Sequence, residues 1–347
     1  MKKVLFATSA LVAFANVASA EVAVTGDGRM GMIWDGEDIQ MHSRARAKFT
    51  MTGETDSGLS FGGSFRVDQE NYRADPLHRS AAKGTAGSVF ISGTYGKLSM
   101  GDVLSAAEAA MGDLPELGYT AGEFAGDPEE IDYLTGDGAN ENQGPSALYE
   151  YTFNGVKLFA SLSDGSQRAC DGTVGALGCY DFESDKDSDL AYSVAAGYEF
   201  GAYNIALAYS KWGDQSEIMI GGNAAIDAFK IQGFYAKYDN RVVGNEIVGD
   251  DDFGDFDLPP GAEYNAAYGL SVGYTLANGV GLTAEWITRE LDFNGSKWEG
   301  APDNFDAYGI GASYDLGGGA TLAGAVMKNE LYGDNETRAD MGVKFKF

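Results

Sequence analysis

Apolar residues alternate one for one with small or polar residues along most of the chain. In Leu190–Phe200, Leu190, Tyr192, Val194, Ala196, Tyr198 and Phe200 share one face, while Ala191, Ser193, Ala195, Gly197 and Glu199 share the other. Tyr268, Leu270, Val272, Tyr274 and Leu276 alternate with Gly269, Ser271, Gly273 and Thr275, and the chain ends on Met341, Val343, Phe345 and Phe347 at every second position. Period two is the signature of strands with one apolar and one polar face. Helical periodicity is nearly absent outside the first 20 residues and a short turn after Ser105. Strands are predicted at about 22–34, 41–52, 59–69, 88–95, 98–103, 146–153, 156–163, 189–200, 203–212, 227–238, 265–276, 280–291, 306–316, 320–331 and 338–347. The fold class is all-β.

The connections sort by length. Asn154-Gly155, Gly201-Ala202, Ala277-Asn278-Gly279 and Gly317-Gly318-Gly319 read as tight hairpins, whereas 70–87, 104–145, 164–188, 239–264 and 292–305 are long and polar. Short turns at one end and long loops at the other are the pattern of an outer-membrane β-barrel, whose strand number is even. A further strand therefore lies between Trp212 and Asn265, placed at 215–222 with Arg241 to Val248 as the competing position, making sixteen. Side chains cannot fill a barrel of that size, so the apolar face meets lipid and the polar face lines water. Tyr95, Tyr149, Phe153, Tyr198, Phe200, Tyr203, Tyr274 and Tyr314 lie near strand ends, where interfacial girdles form.

The N-terminus changes the compartment. Lys2 and Lys3, the mostly apolar Val4 to Val17 and Ala18-Ser19-Ala20 form a secretory signal over residues 1–20, with the barrel over 21–347. No later run reaches the roughly 18 apolar residues a spanning helix needs. The formal charge of −28 argues against nucleic acid as a partner, since that affinity comes from Lys and Arg on phosphates. Export makes a local disulfide the expected state of Cys170 and Cys179. A hydrolase would need a base, but the only histidines are His42 and His78, and no Ser–His–Asp or metal spacing accompanies them. No cofactor is expected, apart from Ca²⁺ as described below.

The segment after Asp102 is far longer than a turn requires. Ser105 and Glu108 form a capping box, an Ala-rich turn stops at Gly112, and Pro115 follows. The remainder is acidic and contains no Lys or Arg as far as Gly144. Loops of such length are usually functional or disordered.

Taken with the signal segment, the start Glu21-Val22-Ala23-Val24-Thr25-Gly26, the long loop after the fifth strand and the ending Gly342-Val343-Lys344-Phe345-Lys346-Phe347, the chain resembles the general diffusion porins of Gram-negative bacteria. The similarity is strongest to the alphaproteobacterial, Rhodobacter-type family. It implies a sixteen-stranded transmembrane antiparallel barrel in the outer membrane, forming homotrimers that pass ions and small hydrophilic solutes and contact lipid and lipopolysaccharide. It also implies that residues 104–145 are a constriction loop folded into the lumen, and that the terminal Phe347 is read by the assembly machinery.

Strand parity supplies a basic wall for that loop. On the first strand Val22, Val24, Met30, Met32 and Trp34 set the lipid face, so Arg29 looks inward. Arg44, Arg46 and Lys48 face inward on the second strand, with His42, and Arg66 on the third. Candidate acidic partners are Glu108, Asp113, Glu116, Glu123 and Asp127, with Glu129, Glu130 and Asp132 equally consistent with a solvated loop. Opposite fixed charges across a water-filled slot with low-dielectric walls focus a transverse field. Asp250, Asp251 and Asp252 form an acidic patch suited to Ca²⁺ or to bridging lipopolysaccharide, or simply a solvated loop. A substrate-specific channel is the alternative; it would line its path with aromatics, whereas these lumen faces read Gly, Ser, Thr, Ala and charge.

Overall fold

The computed structural model describes residues 20–71, 87–135, 146–163, 190–242, 263–292, 303–330 and 337–347. The first eight strands are β1 (Glu21–Trp34), β2 (Ile39–Glu54), β3 (Ser60–Asn71), β4 (Ser88–Gly93), β5 (Gly96–Gly101), β6 (Ser146–Phe153), β7 (Val156–Ser163) and β8 (Ala191–Phe200). The second eight are β9 (Tyr203–Trp212), β10 (Gln215–Ile226), β11 (Phe229–Val242), β12 (Glu263–Thr275), β13 (Val280–Asp292), β14 (Asn304–Gly317), β15 (Ala320–Asn329) and β16 (Thr337–Lys346). Each strand pairs antiparallel with its sequence neighbours, and β1 closes on β16 with Gly31 opposite Gly342 and Met32 opposite Met341. Closure leaves no sheet edge, which a structure spanning lipid cannot carry.

The expected sixteenth strand is β10, running on to Ile226, beyond the predicted Gly222. The competing position begins inside β11, which includes Arg241. Asn154 and Gly155 both adopt left-handed φ, 50° and 83°, as the two-residue hairpin turn between β6 and β7 requires. Cys170 and Cys179, the acidic patch Asp250, Asp251 and Asp252, and His78 lie outside the described residues, as does the signal segment 1–19.

Inside and outside are inverted relative to a water-soluble protein. Val22, Val24, Met30, Leu207, Ile218 and Ile310 point outward and exposed, while Arg29, His42, Ser193, Ser210, Glu217, Glu285 and Arg289 are buried inside. Aromatics gather at the short-turn end: the Phe200 and Tyr203 rings stack at 5.3 Å and Phe229 and Tyr274 lie 4.6 Å apart. Among the described residues no helix is long and apolar enough to cross a membrane; the strands present the apolar surface.

Not every inward side chain is polar. Leu148, Met219, Phe234, Ile287 and Phe305 face the lumen and form a core with Ala106, Ala107, Leu114, Ile131 and Tyr133 of the segment after β5. A second core joins Leu117, Tyr119, Phe124 and Ala125 of that segment to Ile33, Ala323, Ala325 and Met327. The loop is thus folded inside the barrel, and it carries the barrel's only two hydrophobic cores among the described residues.

Candidate functional site

The loop enters the lumen through helix α1 (Ala106–Met111). Ser105 caps it by accepting from the Glu108 amide at 3.1 Å, and Gly112 ends it at φ 62°. The two amides at the start of α1 also find acceptors on the wall, Ala106 from the Ser161 hydroxyl at 2.9 Å and Ala107 from that of Ser193 at 3.1 Å. Ser161, Ser193, Ser210 and Glu217 are register partners across β7 to β10 and make one polar ledge. Ser210 donates to Glu217 at 3.0 Å, and its hydroxyl lies 3.1 Å from that of Ser193. Glu217 also accepts from the Leu134 amide at 2.8 Å, so the same ledge holds the loop's far end.

The tip crosses to the opposite wall. Leu117 and Tyr119 reach β14, β16 and β1 because glycines face them: a Cβ on Gly309 would lie 2.6 Å from Leu117, and one on Gly342 would lie 2.8 Å from the Tyr119 ring. Asp340 of β16 accepts from the Thr120 amide and hydroxyl, both at 2.7 Å. Tyr119 hydroxyl lies 3.1 Å from Nδ1 of His42, and Lys344 donates to the Gly118 carbonyl at 3.2 Å. The Arg29 guanidinium donates to the Thr120 carbonyl and joins Arg44 on the two carboxylate oxygens of Glu123.

The return is tied to β11 and β13. Arg289 pairs with the Asp132 carboxylate and donates to the Glu130 carbonyl at 2.9 Å, while Arg241 and the Tyr238 hydroxyl donate to the Asp132 carbonyl. Arg241 also lies over the Tyr238 ring, 4.6 Å from its centroid, and faces Tyr264. Burial works against the Asp132 charge, but Arg289 and then Arg241 outweigh it and hold its carboxyl below the usual range.

Between the tip, the return and the β1–β3 wall lies a cavity of about 1270 Å³. All five basic candidates line it, Arg29, Arg44, Arg46, Lys48 and Arg66, with Lys344 and Lys346 of β16 beside them. Six of the eight acidic candidates line it too: Asp113, Glu116, Glu123, Asp127, Glu129 and Glu130. Glu108 lies in α1, with its amide in the Ser105 cap, and Asp132 is in the Arg289 pair; neither lines this cavity. Within the basic wall Arg46 pairs with Asp27 at 2.9 Å and Arg66 with Asp68 at 2.7 Å. Burial raises the Asp113 carboxyl, and it pushes Asp127 up to about 7 and Glu129 up to about 9, neighbouring carboxylates adding to both. No group of three His, Cys, Asp or Glu side chains among the described residues is arranged to hold a metal ion.

Glu217, Glu285, Arg289, Asp340 and Lys344 also face the lumen, beyond the three basic strands expected from sequence. Parity carried the signal for all five: Ile218, Trp286, Met341 and Val343 face lipid, so these residues face inward. Arg241 could not be found that way, because the β11–β12 register shifts between Lys237 and Arg241 and turns it to the lumen.

A profile of the family described as Gram-negative porin matches residues 7–334. A porin of Rhodobacter capsulatus is 37% identical over 343 residues, covering 94% of this chain and 100% of the relative. A porin of Fuscovulum blasticum is 26% identical over 342 residues, again covering 94% and 100%. A solved structure of a porin superposes with a TM-score of 0.71 at 33% identity, over 94% of this chain and 100% of that one. A variant of Rh. blastica porin, TM-score 0.60 at 20% identity over the same shares, shows the common fold. With a closed sixteen-stranded barrel, a loop folded into its lumen and these relatives across nearly its whole length, the chain belongs to the Gram-negative porin family.

Proposed function

We propose that this outer-membrane diffusion channel sorts ions and small hydrophilic solutes by a field directed across the slot between its basic wall and its inner loop. One observation carries the reading: the same cavity is lined by Arg46, Lys48, Arg66, Lys344 and Lys346 on strands and by Asp113, Glu116, Asp127 and Glu130 on the loop. Charges of opposite sign, fixed on facing low-dielectric walls, orient water and polar solutes and disfavour apolar ones, which must displace that water without compensation. The field is not uniform. Where Glu123 bridges Arg29 and Arg44 the two walls touch and their charges cancel locally. The lysines beside that contact are the cations that passing anions meet. The general character of the channel is favoured by a lining dominated by acids and bases, with Tyr119, Phe345 and Phe347 as its aromatics.

Export through the segment 1–20, assembly as a homotrimer and contact with lipopolysaccharide belong to the same reading and rest on the family. Charge removal tests the field. With R46A, K48A and R66A combined, the reversal potential under a KCl gradient is expected to move toward cation preference. The expected size for each unpaired charge removed is about threefold for each ion, in opposite directions, and so up to about sevenfold in permeability ratio, from the Coulomb energy of a unit charge about 7 Å away in water. An unchanged reversal potential would mean that this wall does not sort ions.

A further inference from the structure

We propose that the tip of the inner loop locks the closure of the barrel, by docking across the β1–β16 seam and holding the two ends of the chain together. Every other pairing joins strands adjacent in sequence, so this seam alone depends on opposite ends of the chain meeting. It is also the shorter of the two pairings that β1 makes. It runs from Asp27 and Lys346 to Trp34 and Ala339, whereas β2 accompanies β1 from Glu21 to Trp34.

On the inner face of the seam three successive rungs are Ile33 opposite Asp340, Gly31 opposite Gly342 and Arg29 opposite Lys344. The tip meets all three from both strands. Ile33 shares a core with Leu117, Tyr119 and Phe124, and Asp340 accepts from the Thr120 amide and hydroxyl. Arg29 donates to the Thr120 carbonyl, and Lys344 to that of Gly118. Thr120 is thus held by β16 through its amide and hydroxyl and by β1 through its carbonyl. The middle rung has no side chains of its own. The Tyr119 ring covers both glycines there: a Cβ on Gly31 would lie 2.9 Å from it and one on Gly342 would lie 2.8 Å away. Glycine weakens a strand because it brings nothing to pack, and the fully buried Tyr119 ring supplies what the two strands lack.

The docking surface for the tip exists only when β1 and β16 are paired. Neither strand alone offers both grips on Thr120 or both glycines beneath Tyr119. Docking therefore follows closure, and the seam cannot reopen without losing the tip's contacts. The loop's other attachments lie elsewhere, with α1 on Ser161 of β7 and Ser193 of β8 and Asp132 on Arg289 of β13. The loop is a strap anchored on the far wall and closed over the seam. Its tip joins residues far apart in sequence, since Arg29 and Thr120 are 91 positions apart and Thr120 and Asp340 are 220 apart.

The test is amide hydrogen exchange of the refolded mature barrel in detergent, read by mass spectrometry. Y119A is expected to speed exchange in peptides covering 27–34 and 337–346 by about tenfold or more, while β7 to β10 exchange as in wild type. Y119F keeps the ring and should behave as wild type. D132A frees the return of the loop but not its tip, and should leave the seam protected. Met32 and Met341 are register partners on the outer face of the seam, close enough for a disulfide. M32C/M341C in a C170S/C179S background should restore wild-type exchange to Y119A once oxidised, and should let it refold if Y119A alone does not. Wild-type seam exchange in Y119A, an equal rise on β7 to β10, or failure to refold even with the seam bridged would overturn the proposal. These readouts follow closure of the barrel and not the sorting of ions, so the channel reading stands or falls separately.

Discussion

Asp132 differs from its acidic neighbours in having found a partner, and the difference decides its role. Asp127 and Glu129 sit among carboxylates and border the cavity, whereas Asp132 meets Arg289, which is 3% exposed, on the β13 wall. The pair fastens the loop rather than charging the path. Its loss should therefore be felt as attachment. D132A leaves the Arg289 cation without its counter-ion, at the low end of the roughly 3–5 kcal/mol that removing one partner of a buried pair costs. The low end applies because Asp132 keeps 34% of its side-chain surface open and its charge is partly screened. Limited proteolysis of the refolded barrel should then cut within the return of the loop faster than in wild type, and an unchanged rate would remove Asp132 from the fastening. The sequence marked Asp132, with Glu129 and Glu130, only as equally consistent with a solvated loop. What separates them is which wall each reaches, and no local pattern encodes that.

Helix α1 is short and would not persist alone, since isolated helices of this length are unstable in water. It stands because its first amides are satisfied by a ledge of hydroxyls belonging to strands β7 to β9, with Glu217 of β10 behind them. Removing one post should cost more than one ordinary hydrogen bond. S193A leaves the amide of Ala107, itself fully buried, without its acceptor, a loss of about 1–3 kcal/mol. Equilibrium denaturation of the refolded protein checks this, with S161A as a second removal at the same ledge. The cap at Ser105 and the stop at Gly112 were legible because capping is local. The ledge was only half legible. Alternation placed Ser193 on the polar face, but its alignment with Ser161, Ser210 and Glu217 depends on register, which hairpin geometry sets and residue type does not show.

At the scale of the molecule, alternation and the sorting of connection lengths suffice for the barrel, its strand number and its inverted surface. Both are repeated in every hairpin, so errors at single positions do not propagate. The interior is different. The loop brings residues more than 200 positions apart together, as in Thr120 with Asp340 and Asn329 with the Ala125 carbonyl. Its cores rest on inward apolar side chains such as Met219 and Met327, which break the simple rule of a polar lumen. Glycine illustrates the gap: Gly309 and Gly342 act as flat seats for Leu117 and Tyr119, a use that alternation does not reveal. Function as a channel requires a water-filled path beside this loop. It is tested most directly by the single-channel conductance of the refolded mature protein in a planar bilayer over a range of salt concentrations. Discrete ohmic steps that grow in proportion to salt, without saturation, are the predicted result. Small steps that saturate or are blocked by one solute would contradict general diffusion, and a silent, properly folded barrel would contradict the open path itself.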